Sequence, residues 1–315
     1  MALEIGADMA VRLSVVYQGM AVYSGGFGSL HPVGSIMRYV LSIQSSVAHG
    51  HVGNSAAAFA LQRMGRDVMR VDTVRFSNHP AHGGFAGGVA KAGEIETLVD
   101  GLVERGFLGE CAAVLSGYLG TAENGAAVAR AVARVREASP GALFVCDPVM
   151  GDDPKGLFVQ ADIPAVMRDV LVPAADIVTP NRFELATLTG IACKDRKGVL
   201  AAARQVLSGG PRVVVVTGLA FQAGKIETLA VTGDAAWSVL GPKVDGPAFG
   251  AGDTFCAVFL ARYLEQPDLR RALSLACASV RAVLAETVEE LALIPAQSAL
   301  VAPQGVIDAV RIPVT

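Results

Sequence analysis

The chain has 315 residues, 52% of them hydrophobic and 17% charged, with a formal net charge of −3. A chain of this length buries a sizeable core, and its apolar content excludes an intrinsically disordered protein. Slight acidity argues against gripping nucleic acid through its phosphates, and no stretch reaches the roughly 18 apolar residues of a membrane span. Neither nucleic acid nor a membrane is therefore expected as a partner.

Residues 1–36 show no sustained helical or strand period, and no charged start, apolar run and cleavage site of a secretory signal. They are expected to be an extension, either disordered or upstream of a natural start at Met37, with residues 37–315 carrying one domain. From there strands and helices alternate. A strand at Tyr39–Ile43 leads into a helix at Ser55–Arg63, a strand at Val68–Asp72 and a loop with Asn78, His79 and several glycines. Helix Ile95–Glu104, strand Ala113–Leu115, helix Gly125–Glu137 and strand Leu143–Cys146 follow. Next come helix Ile163–Val170, strand Ile177–Val178, and helices Phe183–Leu188 and Val199–Leu207. The run Arg212–Thr217, β-branched after its first residue and bounded by Gly210-Pro211 and Gly218, is the strongest strand. Thr228–Val231 and Trp237–Leu240 read as an antiparallel pair, and helices Thr254–Leu264 and Leu269–Leu284 close the pattern.

This order predicts an α/β fold with a mostly parallel central sheet and helices on both faces. Ligands of such sheets bind beyond the carboxyl ends of the strands. Polar clusters fall at those ends: Gln44-Ser45-Ser46, Asp147-Pro148, Thr179-Pro180-Asn181 and Thr217-Gly218. The five cysteines are widely spaced and form no zinc or redox pair, which predicts free thiols in a reducing cytoplasm.

The segment Gly250-Ala251-Gly252-Asp253 opens a predicted helix. Its glycines let backbone amides approach an anion, and the helix start adds a positive dipole end. Asp253 stands where a carboxylate accepts the proton of an attacking hydroxyl, or where an aspartate merely caps a helix. Asp147 after its strand, and Glu184 at a helix start, suit Mg²⁺ beside phosphates; singly they read equally well as a turn residue and a first-turn charge. No Gly-x-x-x-x-Gly-Lys-Ser/Thr occurs, and the turn after the first strand lacks Gly-x-Gly-x-x-Gly. Four histidines, His49, His51, His79 and His82, fall in two loops, which leaves a metal-binding protein or hydrolase as a rival of another class.

Together the residues resemble the ribokinase superfamily and, within it, are similar to the pyridoxal kinases. The resemblance runs from Met37 onward. Its most specific pieces are Gln44-Ser45-Ser46-Val47 with Gly50-His51-Val52-Gly53-Asn54-Ser55-Ala56, and Phe76-Ser77-Asn78-His79. Leu115–Gly120, Cys146–Gly151 and Thr179-Pro180-Asn181 with Glu184 extend it. The glycine-rich helix start is shared by the whole superfamily.

The resemblance implies an ATP- and Mg²⁺-dependent kinase phosphorylating the 5′-hydroxymethyl of pyridoxal, pyridoxine or pyridoxamine. Asp253 would be the base, and the amides of Gly250, Ala251 and Gly252 would hold the transferring phosphoryl group. Asp147 and Glu184 would organise Mg²⁺ and the ATP phosphates, with Thr179 and Thr217 on the nucleotide side. Asp152 would help hold a monovalent cation such as K⁺, and Asp152–Phe158 would contribute to a flap over ATP. Ser45 would meet the pyridine ring, with Val47, Tyr118 and His79 around the substrate. A cytoplasmic homodimer is the implied assembly. One departure is that His79 is followed by Pro80-Ala81, where many relatives carry Thr. Hydroxymethylpyrimidine kinase, of the same fold, is the runner-up; its relatives usually show an Asp-containing glycine loop that Gln44–Asn54 lacks.

Overall fold

Successive residues of a strand point to opposite sides of the sheet, so a sheet covered on both sides must be apolar at every position. The central strands obey this residue by residue. Val40, Ala113, Val145, Ile177 and Val215 pack into one core; Leu41, Val114, Cys146, Val178 and Val216 pack into the other. The computed structural model describes residues 39–314; the expected extension at 1–36 lies outside them.

The strands are β1 (Tyr39–Val47), β2 (Asp67–Phe76), β3 (Gly87–Val89), β4 (Cys111–Ser116), β5 (Leu143–Cys146), β6 (Gly151–Asp152), β7 (Gly156–Leu157), β8 (Ile177–Val178), β9 (Val213–Leu219), β10 (Lys225–Val231), β11 (Ala236–Pro242) and β12 (Val310–Ile312). Ten of them form one sheet in the order β12-β11-β10-β9-β8-β5-β4-β1-β2-β3, while β6 and β7 pair as a small hairpin. From β2 to β9 the neighbours run parallel, with antiparallel strands added at both edges. Strand order reverses at β1, between β2 and β4, which opens a crevice at the carboxyl ends of the parallel strands.

The helices are α1 (Asn54–Arg63), α2 (Ala92–Glu104), α3 (Ala122–Ala138), α4 (Ile163–Val166), α5 (Arg182–Thr189), α6 (Arg196–Ser208), α7 (Ala251–Glu265), α8 (Leu269–Glu286) and α9 (Gln297–Val301). One face of the sheet is covered by α2, α3, α5 and α6, the other by α1, α7, α8 and α9. Residues Thr254 to Arg262 of α7 are all buried, so this helix runs through the core and its first turn is held rigidly.

The predicted alternation is present, with three differences. β1 continues through Gln44-Ser45-Ser46 to Val47, because Asn54 and Ser55 of α1 satisfy its polar end: Asn54 Nδ2 donates to the Gln44 carbonyl at 3.4 Å and Val47 N–H donates to Ser55 Oγ. The predicted helix Ile163–Val170 is one α turn followed by a wider π turn at Met167–Leu171. The short edge strands β3 and β12 and the β6–β7 hairpin carry too little apolar period to be seen in advance.

Candidate active site

A cavity of about 570 Å³ opens at the carboxyl ends of β1, β4, β5, β8 and β9. Ser45, Val47, His79, Tyr118, Asp147, Asp152, Thr179, Glu184, Thr217, Gly250, Gly252 and Asp253 all line it. Ala251, the remaining candidate, is the first residue of α7 beside them.

The start of α7 is shaped by its glycines. Gly250 caps the helix at φ 84°, a left-handed conformation, and a Cβ there would lie 1.7 Å from the His51 carbonyl oxygen. Only glycine fits. A Cβ on Gly252 would meet nothing within 4 Å, so the backbone there faces open space inside the cavity. The Ala251 N–H donates to the Ala248 carbonyl at 3.0 Å, so it is the Gly252 end of the helix start that faces the open cradle, the setting in which a helix N-terminus receives an anion.

Asp253 follows in the first turn of α7. Desolvation pushes its carboxyl above the ordinary carboxylate range, and the Gly53 amide and its own amide oppose that shift. Asp147 ends β5 and is buried; Thr179 Oγ1 lies 3.2 Å from its Oδ1 and 2.9 Å from Cys256 Sγ. Burial first, then repulsion from Asp253, raises the Asp147 carboxyl. Glu184 is raised by burial and by Asp147.

Glu184 also has a local role. Its Oε1 accepts the Met150 N–H at 3.0 Å and its Oε2 accepts the Asn181 N–H at 2.8 Å, while Asn181 Oδ1 accepts the Glu184 N–H. This capping box starts α5 and fixes the turn after Asp147. The first-turn reading of Glu184 is met, and the same side chain also lines the cavity. Asp147 and Glu184 line one cavity, both raised by burial, Asp147 further by Asp253 and Glu184 further by Asp147; as a pair of hard oxygen donors they suit Mg²⁺, which needs few protein ligands.

The other wall is looser. His79 caps a short 3-10 turn at Pro80–His82, its Nδ1 accepting the Ala81 N–H, and its ring stacks on Phe249 with centroids 4.3 Å apart. Burial, then His82 and Lys155, lower its pKa, while Glu290 opposes them. Tyr118 is half-buried, and desolvation raises its phenol. Asp152 sits at the rim on β6, its carboxyl raised chiefly by partial desolvation. The histidine loops do face each other: Glu290 Oε1 lies 3.1 Å from His82 Nε2 and 3.7 Å from His49 Nε2. Glu290 thus clasps the two loops together. Among the described residues no group of three or more His, Cys, Asp or Glu is placed to hold a metal ion, which removes the support for the rival metal-protein reading. Sequence reasoning missed Phe249 and Cys256 in the cavity wall, and their adjacency to Gly250–Asp253 was the available signal; Lys155, also in the wall, falls within the stretch Asp152–Phe158 expected as a flap.

The family model described as phosphomethylpyrimidine kinase matches residues 102–292. The chain is 51% identical to pyridoxal kinase PdxY of Rubrobacter xylanophilus, over 84% of this chain and 94% of that protein. It is 44% identical to pyridoxal kinase PdxY of Deinococcus radiodurans, over 88% and 98%. The chain belongs to the pyridoxal kinase family, in the ribokinase superfamily. The solved pyridoxal kinase of Leishmania donovani in complex with ADP and pyridoxamine superposes with a TM-score of 0.83 at 31% identity, over 88% of this chain and all of that one. The matched family range begins after Gln44–Ala56 and Phe76–His79, the segments specific to pyridoxal kinases. Among the described residues no helix is long and apolar enough to cross a membrane, and all five cysteines are free thiols.

Proposed function

We propose that this ATP-dependent kinase transfers the γ-phosphoryl group of ATP to the 5′-hydroxymethyl of pyridoxal, and of pyridoxine and pyridoxamine, with Asp253 as the general base. The observation that carries this reading is the placement of Asp253 in the first turn of α7, beside the open amide cradle and across one cavity from Asp147. A carboxylate with a raised pKa is a stronger base than an ordinary one, so it accepts the hydroxyl proton more readily as the oxygen attacks. The amides of Gly250, Ala251 and Gly252 stabilise charge on the phosphoryl group as it transfers.

Asp147 and Glu184 would hold Mg²⁺, which when bound neutralises phosphate charge. Thr179 orients Asp147, and Thr217, bridged to Asn181, lines the nucleotide side. Ser45, Val47, Tyr118 and His79 form the side that receives the vitamer ring. Asp152 is the residue we assign to a monovalent cation, checked by comparing turnover in potassium and in tetramethylammonium salts. The free thiols support a cytoplasmic site of action, and a homodimer is the expected assembly.

Hydroxymethylpyrimidine kinase is the second reading, favoured by the description of the matched family range. Both are separated by one assay, with purified protein, MgATP and each alcohol in turn. We expect turnover of the three B6 vitamers well above that of hydroxymethylpyrimidine; no turnover of any vitamer overturns the proposal.

A further inference from the structure

Among the described residues lining the cavity, Lys155 is the only lysine or arginine. The same cavity holds Asp147, Asp152, Glu184 and Asp253 and, on the reading above, must also accept the polyphosphate of ATP. Amide dipoles and a divalent ion offset part of that negative charge, and a mobile ammonium is the remaining cation of the wall.

The position of Lys155 is specific. It lies between β6 and β7, on a hairpin held at its base by Phe158 N–H donating to the Met150 carbonyl at 3.1 Å. Arg182 Nη2 pairs with Asp153 Oδ2 at 2.6 Å and fixes the near side of the turn. The ammonium sits 4.7 Å from the centre of the Phe249 ring, and Phe249 is the residue immediately before Gly250. A cation on an aromatic face is weakly held at an exposed site, and a nearby anion draws it away readily. Lys155 is thus parked one residue from the amide cradle, on a long flexible stem, with no carboxylate partner in salt-bridge range among the described residues.

We propose that Lys155 leaves the Phe249 ring and contacts the γ-phosphoryl group during transfer, as a catalytic residue that neutralises charge in the transition state. The inference rests on the kinase reading. In the step, the substrate hydroxyl oxygen bonds to the γ-phosphorus. The bond from that phosphorus to the β–γ bridging oxygen breaks, its electron pair stays on ADP, and the hydroxyl proton passes to Asp253. Lys155 exchanges no atoms; it interacts more strongly with the charge of the transferring group than with the ground state.

The test compares wild type, Lys155→Met and Lys155→Arg, with thermal unfolding to verify the fold. For Lys155→Met we expect kcat to fall on the order of 10²-fold, with KM for pyridoxal and ATP changed less than about threefold. Lys155→Arg should recover at least about a tenth of wild-type kcat. Affinity for ADP with fluoroaluminate, a mimic of the transferring phosphoryl group, should fall in Lys155→Met while affinity for ADP alone is kept. Wild-type kcat in Lys155→Met, or its loss with unchanged fluoroaluminate affinity, overturns the assignment of Lys155 and leaves the kinase reading intact. A wild-type protein that phosphorylates no alcohol overturns the kinase reading, and this proposal with it.

Discussion

The two walls of the cavity are built differently. On the nucleotide side Asp147, Thr179 and Glu184 are only 6%, 2% and 4% exposed, and each is held by hydrogen bonds from strand ends or a helix cap. On the vitamer side Ser45, His79 and Tyr118 are half-buried and come from a strand end and two loops. That side is joined by an aromatic stack and by the contacts of Glu290 with His49 and His82. Buried charge tolerates no misplacement, because each unmatched carboxylate is costly in a low-dielectric setting. Ring contacts are apolar and graded, so that wall accepts variation such as Pro80-Ala81. On the proposed function, chemistry is fixed on one wall and substrate preference is adjustable on the other.

The comparison breaks first at Asp253. Asp253→Asn should lower kcat by about 10³-fold or more while nucleotide affinity, measured by calorimetry, changes little; retained turnover contradicts the base role. Gly250→Ala comes next. The added Cβ meets the His51 carbonyl and the left-handed backbone disfavours it, so roughly 10²-fold loss of kcat is expected with a folded protein.

Asp147→Asn sharpens the fixed wall, because it should damage function and help stability together. A carboxyl whose pKa is raised in the fold binds its proton more tightly there than in the unfolded chain. Its contribution to stability is therefore present below the unfolded value near 4 and is lost as pH rises through the folded one. Without ligands the protein should lose thermal stability as pH rises from about 4, and Asp147→Asn should flatten that decline and raise Tm at pH 8. A decline as steep as that of the wild type contradicts the burial account of Asp147.

On the adjustable wall the effects should be smaller. His79→Ala removes the stack on Phe249 and should raise KM for pyridoxal several-fold with kcat nearly kept. Glu290→Gln should change KM by about threefold or less, since the pairs it makes with His49 and His82 are substantially solvent-exposed. A larger loss in either variant than in Asp147→Asn would reverse the contrast between the walls.

The fold was legible in the sequence wherever a period was strong. Leu143–Cys146 and Ile177–Val178 coincide with their strands, and the valine run of β9 is displaced by only one or two residues at each end. Edge strands β3 and β12 escaped because three residues, most of them exposed, are too few to carry a period. The candidate site was legible for groups with a local signature: a glycine-rich helix start, or a carboxylate after an apolar strand. Glu290 had none: its role depends on which loops meet, and it joins His49 and His82 from more than 200 residues away in the chain.

The base of the proposed transfer is Asp253, its pKa raised by desolvation. The most direct test is the pH dependence of kcat/KM for pyridoxal in wild type and Asp253→Asn, with the substrate's own ionisations measured separately. A base must be deprotonated, so wild-type activity should rise with pH through an apparent pKa above the ordinary value of about 3.9 and then level. In Asp253→Asn the residual activity should lack that limb. The same acid limb, at the same pH, in the variant would contradict the claim.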